Sequence, residues 1–167
     1  MQNDPLFKGV YQVGLVVKDC MSLVKKYYHD YGIGPWVIYD MNPDTMKDMV
    51  VRGKPVEYAM RAACAFIGPV MIELIEPLDD KSIYSEFLNE HGDGIHHILF
   101  ETEDYDKSVE FFKEKGHGIL MGGSNQGLKF AYFDTTKDLG LISEIYGGAL
   151  EDGKEELEPS DVYPRPE

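Results

Sequence analysis

The sequence predicts an α+β protein built on mixed β-sheet, and three observations carry that expectation. First, the chain repeats itself. Gln12-Val-Gly-Leu-Val-Val-Lys-Asp19 reads like His97-Ile-Leu-Phe-Glu-Thr-Glu-Asp104, each a strand-like run that starts on a polar residue and meets an Asp seven positions later. Second, a helical pattern follows each Asp, and three strand-like segments with hairpin connections follow each helix. Third, an acidic residue interrupts an apolar strand at matching places: Glu73 in Met71-Ile-Glu-Leu-Ile75 and Glu144 in Ile142-Ser-Glu-Ile-Tyr146. One helix and then a run of strands, used twice, gives α+β.

The elements follow in order. Residues 9–18 form a mostly apolar strand. Asp19 caps a helix whose apolar positions include Leu23, Val24, Tyr27 and Tyr28, and Gly32 stops it. Gly34-Pro35 turns the chain into a strand beginning Trp36-Val-Ile-Tyr39. Asn42 to Pro55 is polar, with two Pro and a Gly, and reads as a loop or lid. Residues 56–66 and 69–76 read as a hairpin turning at Gly68-Pro69. Ile83, Phe87 and Leu88 give 80–91 a helical pattern that ends near Gly92, and this segment has no counterpart in the repeat. The second unit runs as strand 95–101, an Asp104-capped helix to about Lys115, strand 117–122 and a hairpin of 128–134 with 140–146. The expected layout is two tandem β-α-β-β-β modules, 8–78 and 94–147, joined by a connecting helix at 79–93 and followed by an acidic tail at 148–167. From Glu151 onward that tail is rich in Glu, Asp and Pro and reads as a solvated extension outside the fold.

Composition narrows the function classes. A chain of 167 residues with 43% apolar content suits one compact domain or two small modules sharing a core, and a net charge of −14 disfavours nucleic acid and anionic membranes as partners. No apolar run approaches the roughly 20 residues of a membrane span, and the start lacks a basic stretch followed by an apolar one. A cytoplasmic protein is expected. Cys20 and Cys64 are too few for a disulfide framework or a thiolate metal site and read as free thiols.

The repeat also aligns chemistry, pairing Gln12 with His97 and Glu73 with Glu144. A lone Glu in an apolar strand needs a partner if its face is buried, because an unpaired buried carboxylate is very costly. A divalent cation partners both. Gln12 offers an amide oxygen and His97 an imidazole nitrogen. Such a set suits Zn, Co, Ni, Mn or Fe(II) and leaves positions open for water or substrate. Basic partners or solvent would explain each Glu singly; the equivalent placement of all four favours one ion. Alternation turns His96 to the face opposite His97, behind the sheet or into solvent. His29, His91 and His117 lie at helix ends or loops.

Four segments carry a family resemblance: Gln12-Val-Gly-Leu-Val-Val-Lys-Asp19, Glu73-Leu-Ile-Glu-Pro-Leu78, Gly94-Ile-His-His-Ile98 and Gly140-Leu-Ile-Ser-Glu144-Ile. Through them residues 8–147 resemble the vicinal oxygen chelate (glyoxalase/bleomycin resistance/dioxygenase) superfamily. The resemblance implies a cupped mixed β-sheet around one metal site, with Gln12, Glu73, His97 and Glu144 as ligands. Its nearest look is to methylmalonyl-CoA epimerases, with two departures. Those enzymes usually have His where this chain has Gln12, and often Gln where it has Glu73. The set found here is instead one that some glyoxalase I enzymes use. Gly53-Lys-Pro-Val-Glu57-Tyr resembles the epimerase segment that carries a catalytic Glu. The resemblance thus assigns Glu57 and Glu144 as proton-transfer groups flanking one carbon. Alternation places Glu57 on one strand face with Ala59, Arg61 and Ala63; a solvent-facing edge glutamate is the competing reading.

The implied activity is that of a metal-dependent epimerase or racemase abstracting a proton α to a carbonyl. The substrate would be of methylmalonyl-CoA type or an aromatic ketone such as an isoflavanone. The alternatives are glyoxalase I (lactoylglutathione lyase) and a non-catalytic small-molecule-binding member of the fold. A ring-cleaving dioxygenase ranks below these, since that site usually needs two His and only His97 fits. Trp36, Tyr39, Tyr58, Phe66, Phe100, Tyr132 and Phe133 read mostly as core, with several on strands expected to line the cup. Arg61 and Lys129, the few basic residues on those strands, read as surface. The expected partners are a small-molecule carbonyl substrate and a second copy of the chain in a homodimer, with neither nucleic acid nor membrane.

Overall fold

The aspartates aligned by the repeat start two helices. After strand β1 (Gly9–Val16), Asp19 accepts the amide of Ser22 at 2.8 Å and opens helix α1 (Cys20–Tyr31), which Gly32 ends at φ 66°. After strand β7 (Gly94–Glu101), Asp104 accepts the amide of Lys107 at 3.1 Å and opens α3 (Tyr105–Glu114). Between them lie β2 (Trp36–Met41), β3 (Met46–Val51), β4 (Lys54–Pro55), β5 (Met60–Ile67), β6 (Val70–Pro77) and α2 (Ile83–His91). The chain continues through β8 (Ile119–Asn125), β9 (Leu128–Thr135), α4 (Thr136–Leu139), β10 (Leu141–Gly148) and β11 (Asp161–Tyr163). This computed structural model describes residues 5–154 and 156–166. The first four residues, and Glu155 and Glu167 of the acidic tail, lie outside the described residues.

The described strands form one curled mixed sheet in the order β11-β2-β5-β6-β1-β7-β10-β9-β8-β3-β4. At its middle β1 and β7 run antiparallel. Each has a parallel neighbour from its own half, β6 beside β1 and β10 beside β7, and antiparallel strands follow outward on both sides. The sequence repeat is therefore a twofold relation across the β1–β7 seam. α1 covers the outer face of the first half, where Val24 packs on Trp36, Ala63 and Leu74. α3 covers the second, with Phe112 stacked on Phe133 at 4.1 Å. α2 instead lays Ile83 and Tyr84 on Val16, Ile75 and Tyr132. Among the described residues no helix is long and apolar enough to cross a membrane.

Three features depart from the sequence reading. The segment 42–55, expected as a loop or lid, is the β3–β4 hairpin, and β3 pairs with β8 of the other half. Its Met46, Met49 and Val51 are buried, while Arg52 and Gly53 make the turn with positive φ (49° and 74°). The strand expected from residue 56 begins only at Met60, so 56–59 is an irregular link. The tail, expected outside the fold, ends in β11, which pairs with β2 and sets Tyr163 opposite Trp36. Tyr163 meets the Tyr28 ring edge-on at 5.6 Å, and its hydroxyl lies 2.9 Å from His29 Nε2.

These contacts dock the tail, so Tyr163→Ala should lower stability by about 1–2 kcal/mol. Urea unfolding would show an earlier midpoint with an unchanged slope. An unshifted midpoint would mean that β11 is not docked in solution.

Candidate metal centre

Four adjacent strands at the centre of the sheet, β6, β1, β7 and β10, carry Glu73, Gln12, His97 and Glu144 respectively. All four residues are at most 9% exposed. Single donor atoms of Glu73, His97 and Glu144 lie within 4.8 Å of one another. His97 Nε2 is 3.0 Å from Glu144 Oε2 and 3.5 Å from Glu73 Oε2. The Gln12 amide donates to Glu73 Oε2 at 2.5 Å. The four residues named from the repeat are thus brought together.

Gly14 makes the room. It faces His97 in the β1–β7 ladder, and a Cβ on it would lie 2.0 Å from His97 Cε1 and 2.1 Å from Nε2. The imidazole therefore lies over bare backbone, which only glycine provides. The sequence reading passed over Gly14, because a glycine in a strand does not announce which ring it accommodates.

The β1–β7 ladder also carries two bulges. Gly14 pairs with His97 and Leu15 with Ile95, which leaves His96 as an extra residue; Val10 pairs with Phe100 and Gln12 with Leu99, which leaves Tyr11 as an extra residue. The expectation that His96 points away from His97 is therefore overturned. A bulge breaks the period-two alternation and re-aims the inserted side chain. His96 is buried, and its Nδ1 sits 3.0 Å from His97 Nδ1.

Distance alone does not satisfy the cluster. Among the described residues His97 Nε2 and Glu144 Oε2 are buried without a hydrogen-bond partner, although they lie 3.0 Å apart. Two buried carboxylates beside an imidazole lone pair, with two orphaned atoms facing each other, fit a divalent cation in donor type and number. Glu73, His97 and Glu144 would hold it, with Gln12 joining if its amide turns its oxygen inward. Without an ion, burial pushes His97 down, but the Glu144 and Glu73 carboxylates outweigh it and hold the imidazolium up to about 9. Burial raises Glu144 against the pull of His97. Burial, and then His97, depress His96 to about 3.

Gln12, Glu73 and Glu144 open onto a cavity of about 790 Å³ with His97 behind them. Its walls are mostly aromatic and apolar, including Tyr11, Tyr39, Phe66, Phe130, Tyr132 and Tyr146. Trp36, Tyr58, Phe100 and Phe133 are not lining residues: Trp36 packs beneath α1, Tyr58 in the core beside α2, Phe133 against α3, and Phe100 stacks on Phe7. The tail contributes Leu150, Lys154, Glu156 and Leu157 to the walls. Glu57 is exposed, precedes β5 and is not a lining residue. Arg61 pairs with Asp40 at 2.6 Å, and Lys129 lies over the Tyr105 ring. Asn125, also unremarked in the sequence, lines the cavity and keeps a buried amide oxygen without a partner among the described residues.

Comparisons with known proteins bear on the family and the fold. Residues 11–132 match the family model of the Glyoxalase/Bleomycin resistance protein/Dioxygenase superfamily. The chain is 39% identical over 71 residues to a 4-hydroxyphenylpyruvate dioxygenase of Legionella pneumophila, a match covering 42% of this chain and 20% of that protein. A Vibrio vulnificus protein named hemolysin VllY is 36% identical over 71 residues, with the same coverage. The chain thus matches only about a fifth of the length of these relatives. A methylmalonyl-CoA epimerase from Mycobacterium tuberculosis superimposes with a TM-score of 0.66 at 19% identity, over 89% of this chain and 93% of that one. One from Streptomyces coelicolor gives 0.62 at 21%, over 86% and 96%. At these identities the likeness is one of fold.

Two outcomes follow. Gly14→Ala, which alters no ligand, should abolish tight zinc binding, because the added methyl occupies the His97 ring position; wild-type zinc affinity in this variant would refute the placement. In metal-free protein His97 binds a proton more tightly folded than unfolded, so its contribution is full below pH 6.5 and lost as pH rises toward 9. His96 acts oppositely, and its contribution is lost as pH falls from 6.5 toward 3. Stability of the stripped protein should therefore peak near neutrality, and zinc uptake below about pH 9 should release a proton, read by calorimetry in buffers of different ionisation enthalpy.

Proposed function

The chain belongs to the glyoxalase/bleomycin resistance protein/dioxygenase superfamily, and from that premise we propose that it is a metal-dependent isomerase that removes a proton α to a carbonyl. The observation that supports this reading best is the orphaned pair, His97 Nε2 and Glu144 Oε2, beside Glu73 at the wall of a largely apolar cavity. A divalent ion there would polarise a carbonyl oxygen and acidify the neighbouring C–H. Glu144, kept basic by burial, takes the α-proton. Glu73 faces the same space from the other half of the sheet, held by Gln12, and is the second carboxylate through which the proton is returned. Glu57 lies outside the cavity walls and takes no part in this scheme. The apolar walls exclude the water that would otherwise level the carboxylates.

The aromatic lining favours a planar aromatic ketone, of the isoflavanone kind, over an acyl-CoA thioester. Phosphate recognition calls for clustered Arg or Lys, and the described lining offers one cation, Lys154, with the acidic Glu156 on the same wall. A second reading, glyoxalase I, is supported by one observation: the Gln, Glu, His, Glu donor set that some of those enzymes share.

Zinc-loaded protein should catalyse solvent deuterium incorporation at the α-carbon of such a ketone, without redox change or glutathione. Glu144→Gln, compared at equal metal content, should slow exchange by about 10²–10⁴-fold, and Glu57→Gln should leave it at the wild-type rate. Lactoylglutathione formation from methylglyoxal and glutathione, with no exchange in any ketone, would promote the second reading.

A further inference from the structure

We infer that His96 is a positioning residue for the metal centre. It accepts the Nδ1 proton of His97, so that Nε2 presents its lone pair to Glu73 and Glu144. The inference rests on the reading of Glu73, His97 and Glu144 as a metal site. It starts from a contradiction between pattern and structure. Adjacent residues of a strand point to opposite faces, yet the His96 and His97 rings meet Nδ1 to Nδ1 at 3.0 Å. The bulge that leaves His96 without a partner in the β1–β7 ladder is what brings them together.

The proton inventory then fixes the roles. Two imidazole nitrogens in contact need one donor and one acceptor. His97 Nε2 faces two carboxylates, so it can serve as a ligand only without its hydrogen. The ring proton then belongs on Nδ1, and the hydrogen bond to His96 Nδ1 receives it. His96 in turn carries its proton on Nε2. A ligating histidine whose second nitrogen is hydrogen-bonded is fixed in both tautomer and ring angle.

The His96 ring is itself held. Phe87 meets it edge-on at 5.1 Å and Tyr84 at 5.5 Å, both from α2, and Tyr132 closes a third side at 6.1 Å. α2 lies outside the repeat. Through Tyr84, Phe87 and His96 it reaches His97 from behind. The twofold partner of this bulge follows a different course: Tyr11 turns to the cavity beside Phe66 and Tyr146, next to Gln12, whose amide has no tautomer to fix.

The test measures zinc affinity by competition with a chromophoric chelator, for wild type, His96→Phe and His96→Asn. Phe fills the aromatic box but accepts no proton, whereas the Asn oxygen falls near the place of Nδ1. We expect His96→Phe to bind zinc about 10–100-fold more weakly and His96→Asn to stay close to wild type. Wild-type affinity in His96→Phe, or equal losses in both variants, overturns the inference. Because His96→Phe could perturb folding, nitrogen-15 NMR of zinc-loaded wild type gives an independent arm. His97 should carry its proton on Nδ1 and His96 on Nε2; a His97 protonated on Nε2 overturns the inference. If wild-type protein binds no zinc, the metal reading fails and this inference falls with it; if it binds zinc and His96→Phe matches it, this inference alone fails.

Discussion

The structure depends on one electrostatic problem: two glutamates, held beside a fully buried imidazole, whose oxygens approach within a few ångströms. Desolvation disfavours each charge, and their mutual repulsion adds to the cost. A fold that keeps such a pair must supply positive charge at that point and hold the site together when it is absent. The seam between β1 and β7 does this by symmetry. Each half brings one carboxylate, on β6 or β10, and one neutral donor, on β1 or β7, so the four donors arrive on neighbouring strands of one continuous sheet. With α1 and α3 packed on the outer face, the inner face is left free for the donors and the cavity beside them.

Much of this was legible because it follows from short periods. Asp caps, period-two strands and a glutamate at the same place in two strands are local patterns, and a duplicated pattern confirms itself. Gln12, Glu73, His97 and Glu144 could therefore be grouped from the repeat. What escaped notice depends on pairing between distant residues. Nothing in Met46-Lys-Asp-Met-Val-Val51 states that its partner is β8, and nothing in Asp161-Val-Tyr163 names β2. The bulges at Tyr11 and His96 escaped for a related reason. An inserted residue leaves no compositional mark, and only the register across the ladder reveals it. Glu57 was displaced by a smaller error: its strand begins four residues later than the pattern implied, so it falls in the link before the sheet.

The two halves show how a duplicated unit diverges without losing its frame. The same bulge occurs one residue before each central donor. In one half it delivers an aromatic ring to the cavity, and in the other a histidine to the back of a ligand. The elements outside the repeat became specialised in parallel. α2 buttresses the histidine side, and the tail supplies part of the cavity wall. Both ends of the sheet finish in strands of two or three residues, β4 and β11, which leave little free edge for pairing with another chain.

The β3–β8 pairing sets how the molecule comes apart. A hairpin that leaves the first half after β2 is built into the far margin of the second, joining residues more than 70 positions apart, such as Met46 and Asn125. The halves are consequently interlocked, and neither can be lifted from the other without surrendering Met46, Met49 and Val51 to solvent. Such long-range closure slows folding. The β3–β8 pairing thereby ties the two copies of the repeat into a single cooperative object.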